Sequence, residues 1–187
     1  GASLGCGGIG LWIDGTLITT ETFIESRVIE CEPEQSVFDL IYQWQRAGHD
    51  YKLTKRITIR RGDRLFKTDA VFQRDGEFAD TLTVAVGLTT HDGKAKATRN
   101  LKAGWVACWE EIDGSDLGTG IVMDPQVIED YKLVESDKPD ESHALLIAKT
   151  NKRGKVSWWS GYGWERAGEI RNTLQWEKYL TDFSEKH

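Results

Sequence analysis

Short segments of alternating apolar and polar residues, turn signals between them, and one helical apolar stripe at the end predict an all-β fold. The expected architecture is an antiparallel β-sandwich with one C-terminal α-helix, because many short strands without intervening helices do not build a parallel βαβ sheet. Ile9 to Ile13 reads as a strand, and Asp14-Gly15 as a tight hairpin turn into Leu17 and Ile18. Phe23 to Cys31 and Val37 to Trp44 follow on either side of a break at Pro33. Leu53, Ile57 and Ile59 alternate with Thr54, Arg56, Thr58 and Arg60, and the chain returns from Arg61-Gly62-Asp63 as Leu65 to Phe72. That Arg-Gly-Asp invites an adhesion reading, but it stands where a hairpin needs Gly and Asp, and the turn is preferred.

Leu82, Val84, Val86 and Leu88 form one face of a further strand, whose other face is small (Thr83, Ala85, Gly87, Thr89) until His91. Trp105 to Ile112 is another strand, Gly114 to Gly120 reads as a glycine-rich turn, and Ile121 to Met123, Leu145 to Ala148 and Val156 to Trp164 complete the set. Glu135 to Glu141, with Pro139 inside, reads as a solvated loop. At the end Trp176, Tyr179, Leu180 and Phe183 share one helical face, and Asn172 with Gln175 three residues on resembles a capping box.

The 187 residues predict one domain over 1–187. A formal net charge of −6 with interspersed signs argues against nucleic acid or anionic lipid as partner, and no apolar run approaches the roughly 20 residues of a membrane helix. The lone methionine is Met123, so Gly1 is not a translation start, and a signal peptide, propeptide, tag junction or whole domain is expected upstream. Cys6, Cys31 and Cys108 have no metal-ligand or framework spacing; they are expected as small core residues, with one bridge open to an exported protein.

Gly5-Cys6-Gly7-Gly8-Ile9-Gly10 matches the dinucleotide fingerprint in letters only. That motif needs a strand before it and a helix after it, and here a strand follows, so a backbone bend is preferred. No cofactor, no metal ligand set and no serine nucleophile elbow is expected. Eight tryptophans carry the ligand argument. Trp158, Ser160, Tyr162 and Trp164 share one strand face, opposite Trp159, Gly161 and Gly163; Trp105 shares a face with Trp109. Flat rings beside glycines suit the apolar faces of sugars, while core filling is the competing reading for each. Trp159 and Trp164 are the first candidates for a carbohydrate platform, with Trp105 and Tyr162 beside them. His91 is the candidate general acid or base, and Arg56 the candidate partner for a uronate carboxylate. Glu110 and Glu111 split across their strand, so only one can face a given cleft.

Ser3 to Leu17 (SLGCGGIGLWIDGTL) and Gly161 to Phe183 (GYGWERAGEIRNTLQWEKYLTDF) resemble the C-terminal half of the bacterial family called domain of unknown function 4861. The resemblance runs in the same order through nearly the whole chain. It implies a partner half: members are roughly twice this length on the usual scale of domains, with a His-rich N-terminal half, so a missing half or second chain is an expected partner. It also implies a sandwich like those of galactose mutarotases and polysaccharide lyases, a periplasmic or secreted setting, and an activity on uronate-containing saccharides of lyase, epimerase or hydrolase type. A non-catalytic sugar-binding module or a structural half-domain is the alternative. The family brings no established catalytic residues.

Overall fold

The structure is a computed structural model that describes residues 2–91, 93–138 and 140–187. Among the described residues fourteen strands run in chain order, first β1 (Cys6–Ile13), β2 (Thr16–Ile18), β3 (Glu25–Cys31), β4 (Gln35–Arg46), β5 (His49–Arg60), β6 (Leu65–Arg74) and β7 (Glu77–Phe78). The second half gives β8 (Thr83–Thr89), β9 (Lys96–Asn100), β10 (Trp105–Ile112), β11 (Ser115–Met123), β12 (Ile128–Val134), β13 (His143–Lys149) and β14 (Lys155–Trp164), then the helix α1 (Thr173–Ser184).

Two antiparallel sheets result. The smaller has the order β12-β13-β8-β1-β2; the larger runs β3-β4-β5-β6-β14-β11-β10-β9, with β7 paired to β6. They face each other across a core in which Leu53, Phe72, Val84, Val86, Ile121 and Trp158 are fully buried. Each such side chain stabilises the fold by about 1.5–3 kcal/mol relative to exposure. The sandwich with one late helix is therefore the observed architecture.

Local chemistry explains much of it. Asp14 and Gly15 adopt φ of 49° and 75°, the left-handed pair of a two-residue hairpin turn, and Ile13 faces Thr16 across it. The glycine-rich opening is a strand with an irregularity between Cys6 and Gly8, and no helix follows it. Gly7 is needed there: its φ is +84°, a Cβ would lie 2.2 Å from Ser160 Oγ, and its carbonyl accepts a hydrogen bond from Trp158 Nε1 at 3.0 Å. Asn172 caps α1 by accepting from the Gln175 amide at 3.0 Å, and Gln175 Oε1 accepts from the Arg171 amide at 2.7 Å, one residue earlier than a strict capping box.

Two expectations change, and two edge strands are added to those the sequence marks. Gly114 to Gly120 is not a turn throughout: Ser115 already belongs to β11, and Gly118 and Gly120 sit mid-strand beneath the helix. The polar segments Lys96–Asn100 and Ile128–Val134, which carry little apolar alternation, are edge strands of the two sheets. All three cysteines are free, and only Cys108 is buried; Cys31 is exposed on the edge strand β3. Most of the acidic segment 135–141 is irregular, as expected of a loop; its Pro139 lies outside the described residues, as does Gly1.

Candidate functional site

The large sheet has two faces, and strand period decides what each receives. Its outward face over β10, β11 and β14 carries α1. Trp105, Ala107 and Val122 pack there against Trp176 and Leu180, with Trp109, Trp159 and Phe183 at the margin. The glycines beside the tryptophans serve this contact and not a ligand: a Cβ on Gly118 would stand 2.7 Å from Trp109 and 2.8 Å from Trp176, and one on Gly120 2.9 Å from Leu180.

Two candidates for the sugar platform are consequently spent on packing. Trp105 is 5% exposed and its Nε1 donates to Thr181 Oγ1 at 3.0 Å. Trp159 is half-buried, its ring 5.9 Å from Phe183 and 5.4 Å from His187 between centres. It also lies on the opposite face of β14 from Trp164, so the two leading platform residues do not meet.

Tyr162 and Trp164 differ. They continue the inward face of β14 beyond Trp158 and Ser160, past the point where β1 crosses, and are 60% and 41% exposed. The cross-strand register places Thr119 and then Cys108 beside Tyr162, and Leu117 and then Glu110 beside Trp164. Glu110 follows the core residues Val106 and Cys108 on β10, so its carboxylate faces inward, with a side chain only 10% exposed.

His91 closes this end from the smaller sheet. The strand β8 stops at Thr89, and His91 takes a left-handed φ of 51°. Its Nδ1 comes to 2.8 Å from Glu110 Oε1, an ion-pair distance once the imidazole is protonated, but off the line of a hydrogen bond, so that the buried Nδ1 has no aligned partner. The small-residue face that His91 terminates is no ligand path, because a Cβ on Gly87 would meet Leu145 at 2.5 Å and Leu4 at 2.7 Å.

Arg56 stands elsewhere. It points outward from β5, in a row that runs Arg27, Asp39, Arg56, Asp69 and Ser157 across five strands. Asp39 accepts from its Nε and Nη2 at 2.8 and 3.0 Å, a bidentate pair that occupies one edge of the guanidinium. His91 and Arg56 are on opposite sides of the large sheet and are not brought together. The cation that does accompany the exposed aromatics is Arg166, which sequence reasoning missed: its guanidinium lies 5.6 Å from the centre of the Trp164 ring, and Nη2 donates to the carbonyls of Asp113 and Gly114.

The arrangement therefore joins two open rings, a shielded carboxylate against an imidazole, and a guanidinium at the rim. The neighbouring thiols are inert at neutral pH, since burial, with the Glu110 charge second, pushes Cys108 up to about 12, and burial pushes Cys6 up to about 11. Among the described residues no group of three or more His, Cys, Asp or Glu is placed to hold a metal ion.

Comparison with known proteins follows this geometry. The family model described as Domain of unknown function (DUF4861) matches residues 1–187. "Uncharacterized protein P7" of Formosa agariphila is 31% identical over 189 aligned positions, which cover 100% of this chain and 46% of that protein. The chain thus spans about half the length of the curated relative it matches.

Proposed function

This chain belongs to the family of domain of unknown function 4861, and we propose that it supplies the sugar-handling face of a carbohydrate-active protein acting on uronate-containing oligo- or polysaccharides. The observation that carries the reading is the pairing of Tyr162 and Trp164, open on one face, with Glu110 two strands away and His91 against it from the other sheet. Two strand spacings are roughly 10 Å, about the span of two sugar rings. The aromatic rings take the apolar faces of a saccharide, and Arg166 attracts a ring carboxylate.

His91 is the proposed proton-transfer group. In a lyase reaction it removes the proton from the carbon next to the uronate carboxylate, the C–H electron pair forms the new double bond as the C–O bond to the leaving sugar breaks, and the imidazolium passes its proton to the leaving oxygen. In an epimerase His91 takes the proton from one face and water donates one to the other, the imidazolium then returning its proton to the hydroxide. Glu110 steadies the imidazolium produced, and Arg166 offsets charge gathering on the carboxylate. A binding-only role predicts the same platform without turnover.

Tryptophan fluorescence titrated with oligogalacturonate, and absorbance of an unsaturated product, test the proposal on the full-length family protein. Tyr162→Ala and Trp164→Ala are each expected to weaken binding about 5- to 10-fold, the usual worth of an aromatic contact. His91→Ala is expected to lower turnover by roughly 10²–10⁴ while leaving binding nearly unchanged. Binding unaffected by both aromatic variants would remove the platform; binding lost without turnover in the parent protein would leave the module reading alone.

A further inference from the structure

Lys55 is a charged group that this face does not use. It stands mid-β5 on the inward side, with Leu53 and Ile57 two residues to either side, in register with Leu40 on β4 and Ala70 on β6. Val156 of β14 faces Ala70 in turn, six residues from Tyr162. That offset is roughly 20 Å along the strand, so Lys55 lies apart from the aromatic platform.

A hollow of about 240 Å³ opens over it, where the segment after β2 and the chain start meet the large sheet. Ser3, Thr19 and Thr22 put hydroxyl-bearing side chains on its walls, and Phe23 and Tyr42 put rings there. Lys55 Nζ rests 4.5 Å from the centre of the Tyr42 ring. Other lysines of the chain are held differently: Lys67, Lys132, Lys149 and Lys178 each lie within 2.6–2.9 Å of a carboxylate. Among the described residues no carboxylate reaches ion-pair distance of Lys55; Glu21 lines the same hollow without pairing to it.

Burial without a counter-charge pushes the Lys55 ammonium down to about 8. The ring face of Tyr42 offsets only part of the lost hydration. An anion in the hollow would supply the missing partner, and a single cation in so small a space suits a single negative charge.

We propose that the hollow over Lys55 is a second binding site, which takes a small oxyanion group, the carboxylate or sulfate of a ligand, against the Lys55 ammonium and the surrounding hydroxyls. It is independent of the platform reading. Either can fail without the other, because the two sites share no residue.

The test follows Lys55 directly. Lysines are reductively dimethylated with ¹³C, which keeps their charge, and the Lys55 resonance is assigned by its absence in Lys55→Arg. Acetate, glucuronate and sulfate are then titrated at constant ionic strength, with chloride as the control. The Lys55 resonance is expected to move saturably, its titration midpoint to rise from about 8, and the affinity to fall as pH rises through that midpoint. Tyr42 and Glu21 are the titratable groups facing it. Saturation by acetate and glucuronate assigns a carboxylate; saturation by sulfate alone assigns a sulfate ester. No saturable movement with any of the three, or an equal response to chloride, overturns the proposal. The titration itself uses the unmutated side chain, and the charge-conserving Lys55→Arg serves only to assign its resonance.

Discussion

One strand, β14, serves two regions by alternate residues, and the contrast between them shows what makes a tryptophan available. On its outward face Trp159 and Gly163 lie under or beside α1 and the segment leading to it, and a Cβ on Gly161 would meet the Arg64 carbonyl. On its inward face Trp158 is sealed between the sheets, while Tyr162 and Trp164, four and six residues later, stand open because the smaller sheet ends first. The side-chain chemistry is alike in both regions. Coverage by another element separates core from candidate site.

Stability measurements should separate the regions most sharply. Trp176 is fully buried, its Nε1 donates to the Thr119 carbonyl at 3.0 Å, and its ring stacks on Tyr179 at 5.4 Å. Trp176→Ala is expected to cost about 3–5 kcal/mol, through the cavity and the orphaned carbonyl. Trp164→Ala on the open face should cost less, about 1–2 kcal/mol, since 41% of its surface stays in water on folding. Urea unfolding of both variants decides it; equal losses would mean that Trp164 is a structural residue and would break the contrast.

A smaller effect probes the trough under the helix. Gly118→Ala adds a Cβ within 2.7 Å of Trp109 and 2.8 Å of Trp176, and overpacking of this kind typically costs about 1–3 kcal/mol. If the glycines existed to expose rings to sugar, the same substitution would leave stability unchanged and weaken ligand binding. Thermal unfolding and the fluorescence titration, run on one variant, distinguish these outcomes.

The sequence carried local features well and relative placement poorly. Asp14-Gly15 and Asn172 are local decisions, and both could be read from a few residues. Alternation in β14 correctly grouped Tyr162 with Trp164, because period 2 is intrinsic to a strand. It could not say which group would be covered, which depends on where a helix nine residues downstream docks. The Gly114–Gly120 misreading has the same origin: glycine signals a turn unless a partner element needs the space. His91 and Arg56 were joined on residue type, whereas the order β5-β6-β14-β11-β10 sets Arg56 and Glu110 four strands apart and on different faces. One signal was available in advance. Glu110 follows Val106 and Cys108 at the strand period, so an acidic side chain stood in an otherwise apolar row.

The two histidines at this edge extend the contrast to smaller energies. His143 pairs in register with Thr89, only two residues before His91. It is 1% exposed, and its Nε2 accepts the Leu4 amide at 3.1 Å, which ties the start of the chain over the smaller sheet. An accepting Nε2 requires the neutral ring, and burial lowers its pKa below the ordinary 6.5. The unfolded chain therefore binds the proton more readily than the folded one. Stability from this group is present above about 6.5 and is lost as pH falls through that value toward the lower folded-state pKa. His143→Gln should be less stable at pH 8 and should lose that part of the acid slope. His91→Gln is expected to leave stability within about 0.5 kcal/mol at pH 8, as substitutions at open positions usually do. Urea midpoints of the parent and both variants from pH 5 to 8 measure the difference. An acid slope that survives His143→Gln intact would reverse the assignment of which histidine is structural and which is free to exchange protons with a ligand.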